Sequence, residues 1–173
     1  MTGRPSTRVF DLLVIGGGVN GTAIARDAAG RGLRVMLVEA ADLAQATSSA
    51  SRKLIHGGLR YLAHYAFGMV RAALAEREVL LRAAPHIVRP MRFILPHDRH
   101  LRPAWMIGAG LWLYDRLASR STLAGSQKVD LLQPPYGEGL RATSRLGFAY
   151  SDCWVDDARL VVLCAIDAAS RGA

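Results

Sequence analysis

The sequence predicts an α/β fold that contains a parallel βαβ unit. An almost continuous apolar run, Arg8–Ile15, is typical of a strand that is buried on both faces. Three glycines and an Ala-rich helical segment, Thr22–Arg31, follow it, and Gly32 stands where glycine commonly ends a helix. A second apolar run, Arg34–Val38, predicts a second buried strand. The order of strand, glycine turn, helix and strand matches one Rossmann-like βαβ unit of about 30 residues.

Beyond this unit the chain predicts a partly helical segment inserted into the fold. Apolar residues at helical spacing indicate an amphipathic helix over Phe67–Ala84. The apolar run Ile87–Leu95 predicts a strand, and Pro90 within it favours an edge strand or a bulge. Asp156 or Asp157 is expected to cap the last helix. The other expected elements are a helix over Ala104–Ala118, a turn-rich stretch over Ser119–Leu140, a short strand over Gly147–Tyr150 and a helix over Ala158–Ser170.

These changes in pattern predict the domain organisation. Residues 1–62 would form the dinucleotide-binding βαβ unit and the loop that follows it. Residues 63–150 would form a segment of a substrate or cap domain, and residues 151–173 would return to the dinucleotide-binding domain. Two parallel strands are too few for a stable sheet. We therefore expect an incomplete sheet and interpret the chain as the N-terminal portion of a longer protein.

The composition is that of a folded, basic protein. Among 173 residues, 51% are hydrophobic and 21% charged, which excludes the disordered and low-complexity classes. Lys and Arg number 22 against 14 Asp and Glu, and the net charge of +8 favours an anionic ligand or surface. Cys153 and Cys164 lie outside any metal-ligand pattern and are expected to be free thiols, and the histidines form no metal set. The longest uncharged apolar stretch, Pro103–Tyr114, is far shorter than the roughly 18 residues of a membrane-spanning helix.

The glycine turn has the spacing of a dinucleotide-binding motif. Gly16 allows a tight turn, Gly18 lets the backbone approach a pyrophosphate, and Gly21 lets the helix lie close to the strand. The helix N-terminus presents N–H groups and partial positive charge to the phosphates. Glu39, at the end of the second strand, would accept hydrogen bonds from the ribose hydroxyls and would repel the 2′-phosphate of NADP. The pattern does not separate NAD from FAD.

A hydroxyl-rich segment, Ala46–Leu62, follows the βαβ unit. It combines four Ser and Thr hydroxyls, a lysine, a histidine and a glycine pair within 17 residues. Clustered donors suit a second run of contacts along a diphosphate, and the glycine pair suits close backbone approach to a flat ring. A solvated serine-rich loop with a capping role explains the same composition.

Four segments carry a more specific resemblance. They are Val14–Gly21 (VIGGGVNG), Ala46–Leu62 (ATSSASRKLIHGGLRYL), Pro96–Met106 (PHDRHLRPAWM) and Tyr150–Leu160 (YSDCWVDDARL). Together they resemble the FAD-dependent respiratory glycerol-3-phosphate dehydrogenases, flavoproteins of the glycine-oxidase-like fold. The resemblance runs from about Phe10 to the last helix. It implies an enzyme that holds FAD rather than NAD, oxidises sn-glycerol 3-phosphate to dihydroxyacetone phosphate, and passes the electrons through FAD to a quinone.

The same resemblance implies the residues of the site. The hydroxyl-rich segment would line the diphosphate or ribityl chain at its start and the isoalloxazine at its end, with His56 a partner of the flavin or the backbone rather than a base. Arg60 and Tyr61 match positions at the glycerol phosphate pocket, where a phosphate monoester needs a fixed, always-charged donor. No catalytic base and no metal ligand is assigned. The implied cofactor-binding residues are Gly16, Gly18, Gly21, Glu39, Thr47, Ser48, Ser49, Lys53, Leu54, His56 and Gly57.

The basic tract Arg82–Arg102 and the tryptophans after it raise the question of a surface partner. The tract contains no recognised nucleic-acid module, so we expect no nucleic acid. Trp105 and Trp112 beside arginines suit an anionic lipid surface, although ordinary packing of a substrate-domain helix explains the same residues. By the resemblance we expect a cytoplasmic protein, peripheral to the inner face of the cytoplasmic membrane. Its implied partners are glycerol 3-phosphate and a quinone, and a homodimer stays open.

Other functions remain open at this point. The chain could be a non-catalytic nucleotide-binding module that is stable as it stands. An NAD-linked dehydrogenase is a second alternative, but it leaves the hydroxyl-rich segment unexplained. A flavin-dependent oxidase that passes electrons to O2 is a third, and it shares much of the same N-terminal pattern.

Overall fold

The computed structural model describes residues 9–98, 100–118, 122–140 and 145–173. These residues divide into two compact units, each of which is described by itself below. The first unit holds residues 9–53 and 156–173, and the second unit holds Leu54–Val155. The mixed α/β class is confirmed, whereas the domain bounds 1–62, 63–150 and 151–173 stay a prediction.

Strands and helices alternate along the described ranges, with one 3₁₀ helix before the first long helix of the second unit. In chain order they are β1 Leu12–Ile15, α1 Val19–Gly30, β2 Val35–Val38, α2 Thr47–Ala50, β3 Leu54–Ile55, the 3₁₀ helix Leu59–His64, α3 Phe67–Ala83, β4 Val88–Pro96, α4 Ala104–Arg116, β5 Gln127–Asp130, β6 Leu146–Val155 and α5 Asp157–Ser170.

Strands β5 and β6 differ from the sequence-based expectation, and the two-residue strand β3 was not expected. β6 covers ten residues rather than the short strand expected over Gly147–Tyr150. Its backbone pairs with strands on both sides, and those long-range partners extend it beyond the apolar run. β5 lies inside Ser119–Leu140, which was expected to be a turn-rich stretch. Its sequence QKVD buries little more than Val129, so the pairing with β6 rather than local pattern makes it a strand.

The first unit is built on a parallel pair of strands. β1 and β2 pair in register from Leu12 opposite Val35 to Ile15 opposite Val38. Because side chains alternate along a strand, Leu12, Val14, Val35 and Leu37 share one face. That face packs against a patch of small residues on the two long helices of this unit, namely Ala25, Ala28 and Ala29 of α1 and Ala168 of α5.

The opposite face of this sheet is exposed in the described residues. Leu13, Ile15, Met36 and Val38 all point to it, and the exposed fraction reaches 82% at Ile15. The expectation that both strands are buried on both faces is therefore wrong for the described residues. The apolar run reflects a sheet with two apolar faces, of which only one is covered. The two-stranded sheet also agrees with the expected incompleteness.

Helices α1 and α5 of the first unit are joined by small residues and by charge. The alanines let the two helix backbones approach closely, and Asp167 of α5 pairs with Arg26 of α1. Asp167 also pairs with Arg171 one turn further along, at 3.0 Å. At the start of α5 the Asp156 carboxylate accepts the Arg159 N–H at 3.2 Å, so Asp156 is the cap.

The second unit is built on an antiparallel sheet centred on β6. β4 pairs along one side of β6, from Val88 opposite Val155 to Pro96 opposite Gly147. β3 and β5 share the other side, near the end and the start of β6. In the described residues β4 is an edge strand, as Pro90 indicated.

Helices α3 and α4 supply the apolar core beside this sheet. Val70 and Leu74 of α3 pack against Tyr114 of α4, and all three side chains are buried. No helix among the described residues is long and apolar enough to cross a membrane.

Gly21 generates a prediction about the stability of the first unit. A Cβ at Gly21 would lie 1.9 Å from the Gly16 carbonyl oxygen, which is backbone and cannot rotate away. We expect Gly21→Ala to lower the free energy of unfolding by about 1–3 kcal/mol, measured by denaturant titration. Gly30→Ala, on the same helix, is the matched control because its Cβ would meet only the flexible Arg171 side chain at 3.5 Å. Equal stability of the two variants would contradict the prediction.

Candidate dinucleotide-binding site

The glycine turn between β1 and α1 is open on the side of Gly18. Gly16 has φ of +110°, a conformation that side chains rarely adopt, and its N–H donates to the Val38 carbonyl at 2.8 Å. Gly18 is the N-cap of α1 with extended backbone, and a Cβ built on it would meet nothing within 4 Å. The turn is therefore closed on the side of Gly21 and free on the side of Gly18, where there is space for a ligand to approach the protein backbone.

The N-terminus of α1 is suited to an anion. No side chain caps it, and its first turn contains no acidic residue. The first N–H groups of a helix have no partner within the helix, and the helix dipole adds partial positive charge. The Thr22 hydroxyl donates back to the Gly18 carbonyl at 3.0 Å, so it does not compete for these donors. A diphosphate is the ligand chemistry that such a terminus binds.

Glu39 supports the glycine turn. One carboxylate oxygen accepts the Gly17 N–H at 2.5 Å, and the other accepts the Ala41 N–H at 3.0 Å. These hydrogen bonds, the one from Gly17 first, lower the pKa of Glu39. The carboxylate is thus held ionised beside the turn, and the ribose contact predicted for it stays a prediction.

Residues 46–53, the first part of the hydroxyl-rich segment, are held by local hydrogen bonds in the first unit. Thr47, Ser48 and Ser49 lie on α2; Ser48 is buried, and the Ser49 hydroxyl donates to the Ala44 carbonyl at 2.7 Å. The Lys53 ammonium donates to the Ser48 carbonyl at 2.8 Å and so closes the C-terminal end of α2. Thr47 and Ser49 are exposed. The predicted contacts of these four residues with a cofactor stay predictions.

The second unit contains the remaining predicted residues, starting with Leu54 on β3 and the loop after it. We name His56–Gly58 the glycine loop. Gly57 is buried, and a Cβ on it would lie 2.5 Å from Leu74, so only glycine fits there. The exposed His56 accepts the Gly58 N–H on Nδ1 at 2.9 Å. Since a backbone N–H can only donate, the neutral imidazole carries its proton on Nε2.

Arg60 and Tyr61 lie on the 3₁₀ helix that follows the glycine loop, and both are exposed. Within the described residues the Arg60 guanidinium makes no hydrogen bond or ion pair. It lines an open cavity of about 770 Å³ in the second unit, together with Arg102 and mostly apolar side chains. The sequence-based reading did not single out Arg102. Two guanidinium groups at one cavity suit an anionic group attached to a small organic body.

A buried polar cluster that the sequence analysis did not anticipate lies against the glycine loop. The Asp152 carboxylate, which the sequence analysis did not single out, accepts Arg77 at 2.5 Å and the Tyr114 hydroxyl at 2.8 Å, with both donors almost fully buried. The sequence contained one sign that Arg77 is unusual. It falls on the same helical stripe as Val70, Leu74 and Leu81, which is an unusual place for a charge.

The described residues contain no assigned nucleophile or metal site. Cys153 is buried, and burial raises the pKa of its thiol to about 11. Cys164 is half-buried, and the structure has both cysteines as free thiols, as expected. No group of three metal-ligating side chains occurs among the described residues.

The chain belongs to the family of FAD dependent oxidoreductases, because the family model of that description matches residues 11–173. FAD rather than NAD is therefore the dinucleotide of this chain's family, as the resemblance implied. The glycine turn and the uncapped N-terminus of α1 fit a dinucleotide of this kind.

The relatives narrow this class. Over 169 residues the chain is 63% identical to the glycerol-3-phosphate dehydrogenase of Pseudomonas tolaasii, covering 98% of this chain and 32% of that protein. It is 61% identical over 163 residues to the D-erythritol 1-phosphate dehydrogenase of Brucella abortus, covering 94% and 32%. The structure resembles the glycerol-3-phosphate dehydrogenase from Bacillus halodurans complexed with FAD, at 31% identity and a TM-score of 0.64 over 96% of this chain and 26% of that one. The chain spans about a third of the length of these curated relatives.

Gly18 offers a direct test of the candidate site. Gly18→Ala leaves the fold intact because the new Cβ meets nothing, yet it occupies the side of the turn that a diphosphate approaches. We expect the Kd for FAD to rise at least about tenfold, roughly 1.4 kcal/mol, in a fluorescence titration. Gly68→Ala is the control, since its Cβ also meets nothing within 4 Å and it lies on α3 of the second unit. An unchanged Kd in Gly18→Ala would refute this site.

Proposed function

We propose that this chain is the FAD-binding portion of a polyol-phosphate dehydrogenase whose substrate is glycerol 3-phosphate and whose product is dihydroxyacetone phosphate. The observation that carries the proposal is the glycine turn, open at Gly18 and followed by an uncapped helix, in a chain of the FAD dependent oxidoreductase family. The names of the relatives support the substrate class.

Each unit contributes a different kind of contact in this proposal. The first unit would hold the FAD diphosphate on the backbone N–H groups at Gly18 and the start of α1, with Glu39 beside the ribose. FAD, when bound, would supply the acceptor for the hydride that leaves the alcohol carbon and carries both electrons. The second unit would present the glycine loop to the flavin, and Arg60 with Arg102 would neutralise the substrate phosphate. We assign no described residue as the base for the hydroxyl proton.

Two substrates share the required chemistry. Glycerol 3-phosphate and D-erythritol 1-phosphate are both polyols with one terminal phosphate, and the relatives that carry these names are 63% and 61% identical to this chain. The two identities are too similar to separate the substrates. Both substrates require a cation that binds the phosphate. Arg60 supplies a guanidinium that forms no hydrogen bond or ion pair with another described residue.

The proposed function predicts a coloured protein that a polyol phosphate bleaches. The protein translated from its gene through the stop codon is purified, and we expect the visible absorption of an oxidised flavin. Added anaerobically, glycerol 3-phosphate should remove that absorption, and D-erythritol 1-phosphate is compared at equal concentration. Arg60→Gln should raise the KM for the phosphate substrate at least about tenfold, because a charge-assisted hydrogen bond is lost.

Arg71→Gln is the matched control, since Arg71 is an exposed arginine on α3 outside the cavity. A colourless, monodisperse protein that binds NAD would overturn the flavin assignment. A flavoprotein that neither polyol phosphate bleaches would overturn the substrate class. Faster bleaching by D-erythritol 1-phosphate would replace glycerol 3-phosphate within that class.

We further propose a quinone as electron acceptor and an anionic membrane surface as the place where the protein meets it, at the inner face of the cytoplasmic membrane. The exposed face of α4 supports this proposal. Trp105 and Trp112 are 72% and 55% exposed, and the Arg116 guanidinium lies 4.1 Å from the centroid of the Trp112 ring. Aromatic side chains beside arginines are the composition of an interfacial helix face.

This surface predicts a binding defect without a folding defect. The double variant Trp105→Ala, Trp112→Ala should bind vesicles that contain anionic phospholipid at least about tenfold more weakly in co-sedimentation, because two exposed aromatic groups lose their interfacial contact. Leu132→Ala removes another exposed apolar side chain of the second unit and should bind like the parent protein. Equal binding of all three proteins would contradict the membrane proposal.

A further inference from the structure

The buried cluster of the second unit forms a continuous chain of hydrogen bonds that ends on the glycine loop. The Gly57 N–H donates to the Tyr114 hydroxyl oxygen at 2.7 Å, and the Tyr114 hydroxyl donates to the Asp152 carboxylate at 2.8 Å. Arg77 donates to the same carboxylate oxygen at 2.5 Å and to the Ser151 carbonyl at 3.3 Å. The chain thus connects α3, β6, α4 and the glycine loop within one unit.

The direction of each hydrogen bond in this cluster is fixed. A backbone N–H can only donate, so the Tyr114 oxygen accepts from Gly57 and its proton is free to go to Asp152. Burial, and next the charge of Asp152, raise the pKa of the Tyr114 hydroxyl, which therefore stays protonated. An ionised acceptor strengthens the hydrogen bond from Tyr114 and makes the phenol oxygen a better acceptor in turn.

The carboxylate itself is supported from several sides. Burial raises the pKa of Asp152, while the hydrogen bonds from Tyr114 and Arg77 and the charge of Arg77 limit that rise. A guanidinium nitrogen of Arg77 also lies 3.6 Å from a carboxylate oxygen of Glu78, its neighbour on α3. Such a group of buried charges is costly to desolvate, and a specific geometry is one reason to retain it.

This hydrogen-bonded cluster holds the glycine loop in its conformation. Tyr114 packs against Gly57, where a Cβ would lie 2.9 Å from the ring, and its hydroxyl holds the Gly57 N–H. The next N–H, that of Gly58, is held by His56 Nδ1. Two successive N–H groups are thus occupied, and Nε2 carries the proton of the exposed, neutral His56 imidazole.

We propose that Tyr114 is a positioning residue: through the Gly57 N–H, and with its hydroxyl oriented by Asp152 and Arg77, it fixes the glycine loop and the His56 imidazole against the flavin ring. This inference rests on the proposed function for the presence of FAD. Tyr114 does not touch the reacting atoms, and it acts through the backbone of the glycine loop.

Tyr114→Phe is the variant that isolates the hydroxyl. The phenylalanine ring keeps the packing against Val70 and Leu74, and only the acceptor for Gly57 and the donor to Asp152 are removed. Tyr65→Phe is the matched control, because it makes the same chemical change at a tyrosine that is 82% exposed in the same unit. Thermal unfolding of both variants checks that they fold.

The first measurement needs no cofactor. Hydrogen exchange of the Gly57 amide, followed by NMR in the labelled parent chain and both variants, should be at least about tenfold faster in Tyr114→Phe only. The parent chain provides its own check should Tyr114→Phe fail to fold. A Gly57 amide that exchanges in the parent chain as fast as an unstructured peptide would overturn the proposal, as would equal exchange in parent and variant.

The second measurement uses FAD. At saturating FAD the visible spectrum of the bound flavin should shift in Tyr114→Phe, and the Kd should rise about tenfold for the loss of one buried hydrogen bond. Lower stability alone would change the fraction bound and leave the saturated spectrum unchanged. Faster Gly57 exchange with an unchanged saturated spectrum and Kd would overturn the positioning role. A parent chain that binds no FAD would overturn the proposed function, and the Gly57 result would then still decide whether the hydrogen bond exists.

Discussion

Both units depend on backbone segments that approach their neighbours more closely than any side chain allows. In the first unit α1 crosses β1 so closely that a Cβ at Gly21 would lie 1.9 Å from the Gly16 oxygen. In the second unit the glycine loop lies on Leu74 and Tyr114, where a Cβ at Gly57 would be 2.5 Å and 2.9 Å away. In the first unit close approach leaves backbone N–H groups, rather than side chains, as the donors nearest to the glycine turn, whereas the Gly57 and Gly58 N–H groups of the second unit bond within that unit. This suits a cofactor whose recognition relies on a diphosphate and a flat ring.

The two close approaches are stabilised in different ways. In the first unit the neighbours are alanines and apolar strand residues, so ordinary apolar packing holds α1 in place. In the second unit the glycine loop is held by Tyr114, whose hydroxyl depends on the buried Asp152 and Arg77. Removing one partner of a buried ion pair costs about 3–5 kcal/mol, because the other charge stays buried and unpaired. The glycine loop is therefore coupled to the packing of α3, α4 and β6.

The sequence predicted best what is encoded locally. The βαβ unit follows from two apolar runs, a glycine turn and an Ala-rich helix, which all lie within Arg8–Val38. β5 was missed because QKVD becomes a strand only by pairing with β6, a long-range contact. Tyr114 was missed because nothing local distinguishes a tyrosine that packs from one that also bonds Gly57. The covered and uncovered faces of the two-stranded sheet could not be separated either, since apolar residues occupy both.

The distribution of charge separates the proposed tasks of the two units. Residues 1–53 and 156–173 contain nine basic and seven acidic residues, so the unit that would hold the diphosphate carries only +2 of the formal net charge. It can bind a dianion without a large excess of lysine or arginine because helix dipoles and backbone N–H groups supply positive charge. Residues 54–155 contain thirteen basic and seven acidic residues, and thus most of the net charge of +8. In the proposed function, a substrate phosphate at Arg60 and Arg102 and an anionic surface at α4 would account for that excess.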